Sequence, residues 1–122
     1  MQDQIKGLRV IVVEDDAAIM MLAEDMLQEL GCVIAGTATR MNEALESAQS
    51  CAFDVALLDV NLAGQPVYPV ADIVQARGLP IVFCTGYGGE SLEEAWRNTP
   101  MLQKPYRMEH LSEVLAKAAG RA

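Results

Sequence analysis

Four short stretches carry side chains that could do chemistry together. "EDD" puts three acids, Glu14, Asp15 and Asp16, directly after an apolar run, and "VALLD" closes a second run on a single acid, Asp59. "PIVFCTG" ends on Thr85 and Gly86, and "QKP" sets Lys104 ahead of Pro105. Acids gathered from separate loops repel and raise one another's pKa unless a cation stands among them. Carboxylate and carbonyl oxygens suit Mg²⁺, which takes an octahedral shell at about 2.0–2.1 Å and keeps several waters. An Asp carboxylate can also attack phosphorus and form an aspartyl phosphate, and Asp59, alone at the end of an apolar strand, is the residue placed to do so. In that chemistry Mg²⁺ and Lys104 offset charge on the phosphoryl oxygens, while the Thr85 hydroxyl and nearby backbone N–H groups bind the third oxygen.

Such a constellation needs elements that bring distant residues to one edge. Short β-branched or wholly apolar runs at Leu8 to Val13, Cys32 to Thr37, Val55 to Leu58, Pro80 to Cys84 and, weakly, Met101 to Leu102 read as strands. Between them lie helical periods: Ile19, Leu22, Met26 and Leu30, stopped by Gly31; Met41, Ala44, Leu45 and Ala48; Val70, Ile73 and Val74 after Pro69; and Met108, Leu111, Leu115 and Ala118. Each stripe is expected to face the core. Asp16 fits the N-cap of the first helix. "GYGGESLEEAWRNTP" offers three glycines and barely two turns, so the fourth helix, Glu90 to Arg97, is expected to be short or irregular. Strands apolar on both faces and alternating with helices predict a doubly wound α/β fold around a five-stranded parallel sheet. Ligands of such sheets sit at the carboxyl ends of the strands, where all four stretches fall.

Bulk properties narrow the function. With 122 residues the chain reads as one domain, 1–122. Nine Lys and Arg against 17 Asp and Glu give a formal charge of −8 with no basic run, which argues against direct nucleic-acid binding. The N-terminus lacks the apolar core of a signal peptide and no run spans a bilayer, so a cytoplasmic protein without a membrane partner is expected. Cys32, Cys51 and Cys84 sit in apolar surroundings and read as buried thiols. His110 reads as a solvated helix residue, and Trp96 as an anchor for the short helix.

The stretches "VVEDD" (Val12 to Asp16), "LLDVNL" (Leu57 to Leu62), "CTGY" (Cys84 to Tyr87) and "QKPY" (Gln103 to Tyr106), each after its own strand, resemble the receiver domain of two-component response regulators over nearly the whole chain. The resemblance implies the flavodoxin-like, CheY-like order of elements. It also implies metal binding at Glu14, Asp15, Asp59 and the Asn61 carbonyl, phosphorylation of Asp59, a sensing hydroxyl on Thr85, a charge-offsetting Lys104 and a cis bond before Pro105. The partners it implies are a sensor histidine kinase and a downstream protein or phosphotransfer partner, acting on a stand-alone monomer or weak dimer. Members usually carry an aromatic switch three residues before the lysine, where this chain has Met101. "PIVFCTGYGG" is similar instead to a subgroup named for a Phe-Ala-Thr-Gly signature, which makes Tyr87 the first candidate for the responding aromatic and Tyr106 the second.

Other readings fit less well. A dehalogenase-type phosphatase wants an acid two residues after its nucleophile, where Asn61 stands, and a flavin-binding module wants a hydroxyl- and glycine-rich loop in place of "EDDAAI". A phosphorylation-independent scaffold normally lacks the acid, threonine or lysine, and all three are here.

Overall fold

The computed structural model describes residues 2–86 and 92–121. A five-stranded parallel sheet is built from β1 (Arg9–Val13), β2 (Val33–Ala38), β3 (Val55–Asp59), β6 (Ile81–Thr85) and β7 (Met101–Gln103), in the order β2-β1-β3-β6-β7. Two further strands, β4 (Asn61–Leu62) and β5 (Gln65–Pro66), form a small antiparallel hairpin after β3 that the sequence pattern does not announce. Helices α1 (Ala17–Glu29), α2 (Met41–Ser50), α3 (Tyr68–Ala76) and α4 (Met108–Ala118) complete the fold.

Alternation along the central strands divides the core into two layers. Val10, Val12, Leu57 and Val82 pack with Leu27 of α1 and Leu111 and Leu115 of α4. Ile11, Val13, Leu58 and Phe83 pack on the other face with Ala44 and Ala48 of α2 and Val70 and Val74 of α3. Both faces of the sheet are therefore covered, which is why its strands read as continuous apolar runs.

One stripe differs from expectation. Helix α1 buries Met20, Ala23 and Leu27, with Leu30 buried at its C-cap, whereas Ile19 and Met26 are half-buried and Leu22 is 46% exposed. Four consecutive apolar residues, Ile19 to Leu22, allow more than one helical face. Packing decides between them, with Met20, Ala23 and Leu27 entering the layer shared with β1, β3 and α4. Leu22→Gln is accordingly expected to leave unfolding free energy within about 0.5 kcal/mol of wild type. Leu27→Ala should cost about 2 kcal/mol or more in a urea titration.

The caps follow their local chemistry. The Asp16 Oδ1 accepts from the N–H of Ala18 at 2.9 Å and of Ile19 at 3.1 Å, satisfying two orphan donors of α1 as expected. Of the expected fourth helix, the described part is a 3-10 turn, Glu94–Trp96, and residues 87–91 lie outside the described set. Trp96 anchors it. Its ring stacks on Tyr68 with centroids 6.0 Å apart and meets Phe83 edge-on at 5.7 Å, and the Tyr68 hydroxyl accepts from the Glu93 N–H at 2.9 Å. Cys32 and Cys84 are buried, but Cys51 at the end of α2 is only half-buried, a departure from the expected three buried thiols. His110 is exposed. Among the described residues no helix is long and apolar enough to cross a membrane.

Candidate functional site

The order of the sheet makes the site. From β1 the chain crosses to β2 at one edge and then to β3 and β6 on the other side, so the crevice above β1 and β3 is the topological switch point. Glu14 is the first residue after β1, Asp59 the last of β3 and Thr85 the last of β6. The Lys104 N–H donates to the Thr85 carbonyl at 2.8 Å, which extends the β6–β7 pairing by one step and sets the lysine beside the others. Glu14, Asp15, Asp59, Asn61, Thr85 and Lys104 line one open cleft of about 630 Å³. All six of the expected site residues in the described structure thus share it.

Its charges are interlocked. Lys104 Nζ lies 2.8 Å from Glu14 Oε1 and 3.2 Å from Asp59 Oδ1, and both carboxylates are almost wholly buried. Glu14 also accepts from the Asp16 N–H at 3.1 Å, and Asp15 Oδ2 accepts from the Ala63 N–H at 3.1 Å. The Asn61 N–H stands 3.4 Å from Asp59 Oδ1, a long contact at the edge of hydrogen bonding.

Burial, and after it the neighbouring Glu14, pushes the Asp59 carboxyl up to about 7, with Lys104 pulling the other way. Burial alone would lower the Lys104 ammonium, but Glu14 and Asp59 outweigh it and hold it above its ordinary value. Burial likewise works to raise Asp15, yet its close partners Asp59 and Glu14 and the Ala63 N–H bring it below the usual carboxylate range.

The donor set fits a hard cation. Glu14, Asp15 and Asp59 each offer a carboxylate oxygen, all within 4.8 Å of one another. One ammonium shared by two of three such acids leaves negative charge to be balanced, and oxygen-only ligands favour Mg²⁺ or a similar ion.

The switch candidates separate. Tyr87 lies outside the described residues. Tyr106 is buried in the layer with α1 and α4, and Met101 is half-buried opposite Phe83. The Lys104–Pro105 bond is cis, as the resemblance implies. Sequence reasoning missed the contribution of Ala63. Its one outward signal was Gly64 in "NLAGQP", a residue that readily takes the left-handed backbone a tight hairpin turn needs.

Comparison with known proteins agrees with this fold. The family model of the response regulator receiver domain matches residues 10–116. The transcriptional regulatory protein PdtaR of Mycobacterium tuberculosis is 31% identical over 117 residues, which is 93% of this chain and 57% of that protein. The chain therefore spans little more than half the length of that curated relative. Among solved structures, SdrG of Sphingomonas melonis Fr1 is 37% identical with a TM-score of 0.81, covering 90% of this chain and 94% of SdrG. A BeF3-activated conformation of SdrG superimposes at a TM-score of 0.78 with 36% identity, covering 93% and 96% of the two chains. The receiver domain of the Erythrobacter litoralis response regulator PhyR is 30% identical with a TM-score of 0.79, covering 93% and 90%.

Proposed function

The chain belongs to the response regulator receiver domain family of two-component systems, and from that premise we propose that it accepts a phosphoryl group on Asp59 from a sensor histidine kinase and signals through phosphorylation-dependent protein binding or relay. The observation that carries this reading is the placement of Asp59: a strand-end carboxylate facing the cleft, 3.2 Å from Lys104 Nζ and within a cation-binding set of oxygens.

In the transfer, an ionised Asp59 oxygen attacks phosphorus, the new P–O bond forms as the P–N bond to the donor imidazole breaks, and the departing nitrogen takes up a proton. The Lys104 ammonium lies where it can move from the carboxylates toward a phosphoryl oxygen. The Thr85 hydroxyl, at the end of β6, can donate to a second. Mg²⁺ held by Glu14, Asp15, Asp59 and the Asn61 carbonyl would neutralise charge between nucleophile and phosphoryl group. SdrG supports the reading, since it has an activated conformation with BeF3. The run "PIVFCTGY" further supports placing the chain in the Phe-Ala-Thr-Gly subgroup, with Tyr87 rather than Met101 as the aromatic that responds.

The test is intact mass after incubation with a small phosphodonor. One added phosphoryl group is expected with Mg²⁺, and none after chelation. An unmodified mass with Mg²⁺ present, repeated with a cognate kinase, would favour a phosphorylation-independent scaffold.

A further inference from the structure

Among the described residues no cationic side chain pairs with Asp15 in the cleft, whereas Glu14 and Asp59 share Lys104. Glu14 and Asp59, whose oxygens lie within 4.8 Å, face Asp15 on one side, and its own side chain is exposed on the other. The backbone donor that reaches it from outside the acid cluster is the N–H of Ala63, 3.1 Å from Oδ2 and 48 residues away in sequence.

That N–H points at Asp15 because of the hairpin. Asn61 pairs with Pro66 and Leu62 with Gln65, and the two residues between them, Ala63 at φ 51° and Gly64 at φ 84°, are both left-handed. This is the signature of a type I′ turn, whose twist matches that of paired strands. Leu62 is buried in the layer with α2 and α3. The base is fixed by the Val67 N–H donating to the Val60 carbonyl at 2.9 Å and the Val60 N–H donating to the Cys84 carbonyl at 3.0 Å. The hairpin begins at Asn61, the residue assigned a carbonyl ligand above.

We propose that the β4–β5 hairpin is a positioning element for the cation: through the Ala63 N–H it preorients the Asp15 carboxylate, so that Mg²⁺ affinity depends on a turn whose two central residues bear no ligand. The inference rests on the receiver reading. Groups that orient a metal ligand from outside commonly change affinity by about 10- to 100-fold when removed.

Mg²⁺ binding to the full chain by calorimetry, with thermal melts alongside, tests it. A Cβ at Gly64 would meet no atom within 4 Å, so Gly64→Val acts through the left-handed backbone alone. It is expected to weaken Mg²⁺ about tenfold. Gly78→Val, at φ 74° beyond α3 and equally free of neighbours, imposes the same backbone cost away from the cleft and should leave affinity within about twofold. Ala63→Gly keeps the N–H and eases its backbone, and should bind as wild type does. If Gly64→Val does not fold, Gly64→Ala replaces it. Equal affinities for the Gly64 and Gly78 variants would overturn the hairpin's role. A wild-type protein that takes up no Mg²⁺ would instead overturn the receiver reading, and the hairpin's role with it.

Discussion

Asp59→Asn is expected to take up no phosphoryl group from any donor and, in metal-free buffer at pH 8, to be more stable than wild type. The first effect follows from chemistry, because an amide oxygen is too poor a nucleophile to form the acyl phosphate. The second follows from charge. Folding raises the Asp59 carboxyl from about 4 to about 7, mainly through burial and then through Glu14. An acid with a higher pKa in the folded state binds more protons there than in the unfolded chain. Stability contributed by this group is therefore full below about pH 4 and is lost as pH rises to about 7. Asparagine carries no charge and avoids that loss. The gain at pH 8 should be on the order of 2 kcal/mol, since the cleft is open to water and screens part of the effect. Urea titrations of both proteins at pH 5 and pH 8, with a chelator present, check the sign. A difference that is the same at both pH values would mean that Asp59 is not held against its own ionisation. Added Mg²⁺ should narrow the gap at pH 8, because the cation stabilises the ionised wild type and finds a weaker ligand in the variant.

How much of this could be read in the chain depends on whether a feature is local. The carboxyl edge was legible because β1, β3 and β6 are apolar on both faces and stop at Glu14, Asp59 and Thr85. The Asp16 cap needs only the next three residues. The phase of α1 was not legible, because "IMML" is apolar all round and only tertiary packing, which buries Met20, Ala23 and Leu27, selects a face. The hairpin escaped for two reasons: two residues per strand are too few to show an alternating pattern, and Ala63 takes a conformation against its own preference. Its partner, Asp15, is a nonlocal one that no spacing rule connects to it. Likewise the 3-10 turn that stands in the described part of the fourth helix is held by Tyr68 and Phe83, whose contribution appears only when α3 and β6 are side by side.

Lys104→Met separates the two tasks of the lysine. Lys104 helps to line a small apolar groove with Ile19, Leu22, Pro105 and Tyr106, so a methionine of similar length keeps an apolar side chain there. The charge cannot be replaced. In the resting protein, loss of the ammonium leaves Glu14 and Asp59 buried together without their shared partner. Removing one member of a buried pair commonly costs about 3–5 kcal/mol, and the cost should be near the lower end here because Asp59 can take up a proton. Lys104 is the group that holds the Asp59 carboxyl down, so its removal moves that carboxyl further up. The stability deficit should accordingly be large at pH 8, shrink as pH falls through neutrality, and shrink again on adding Mg²⁺. In the transfer reaction, loss of one preorganised positive group at the phosphoryl oxygens should slow uptake by roughly 100-fold or more. A time course of intact mass at saturating Mg²⁺ measures the rate separately from the fold. A variant that is destabilised yet phosphorylated at the wild-type rate would confine Lys104 to the resting ion pair and leave the transition state to the cation and the backbone donors.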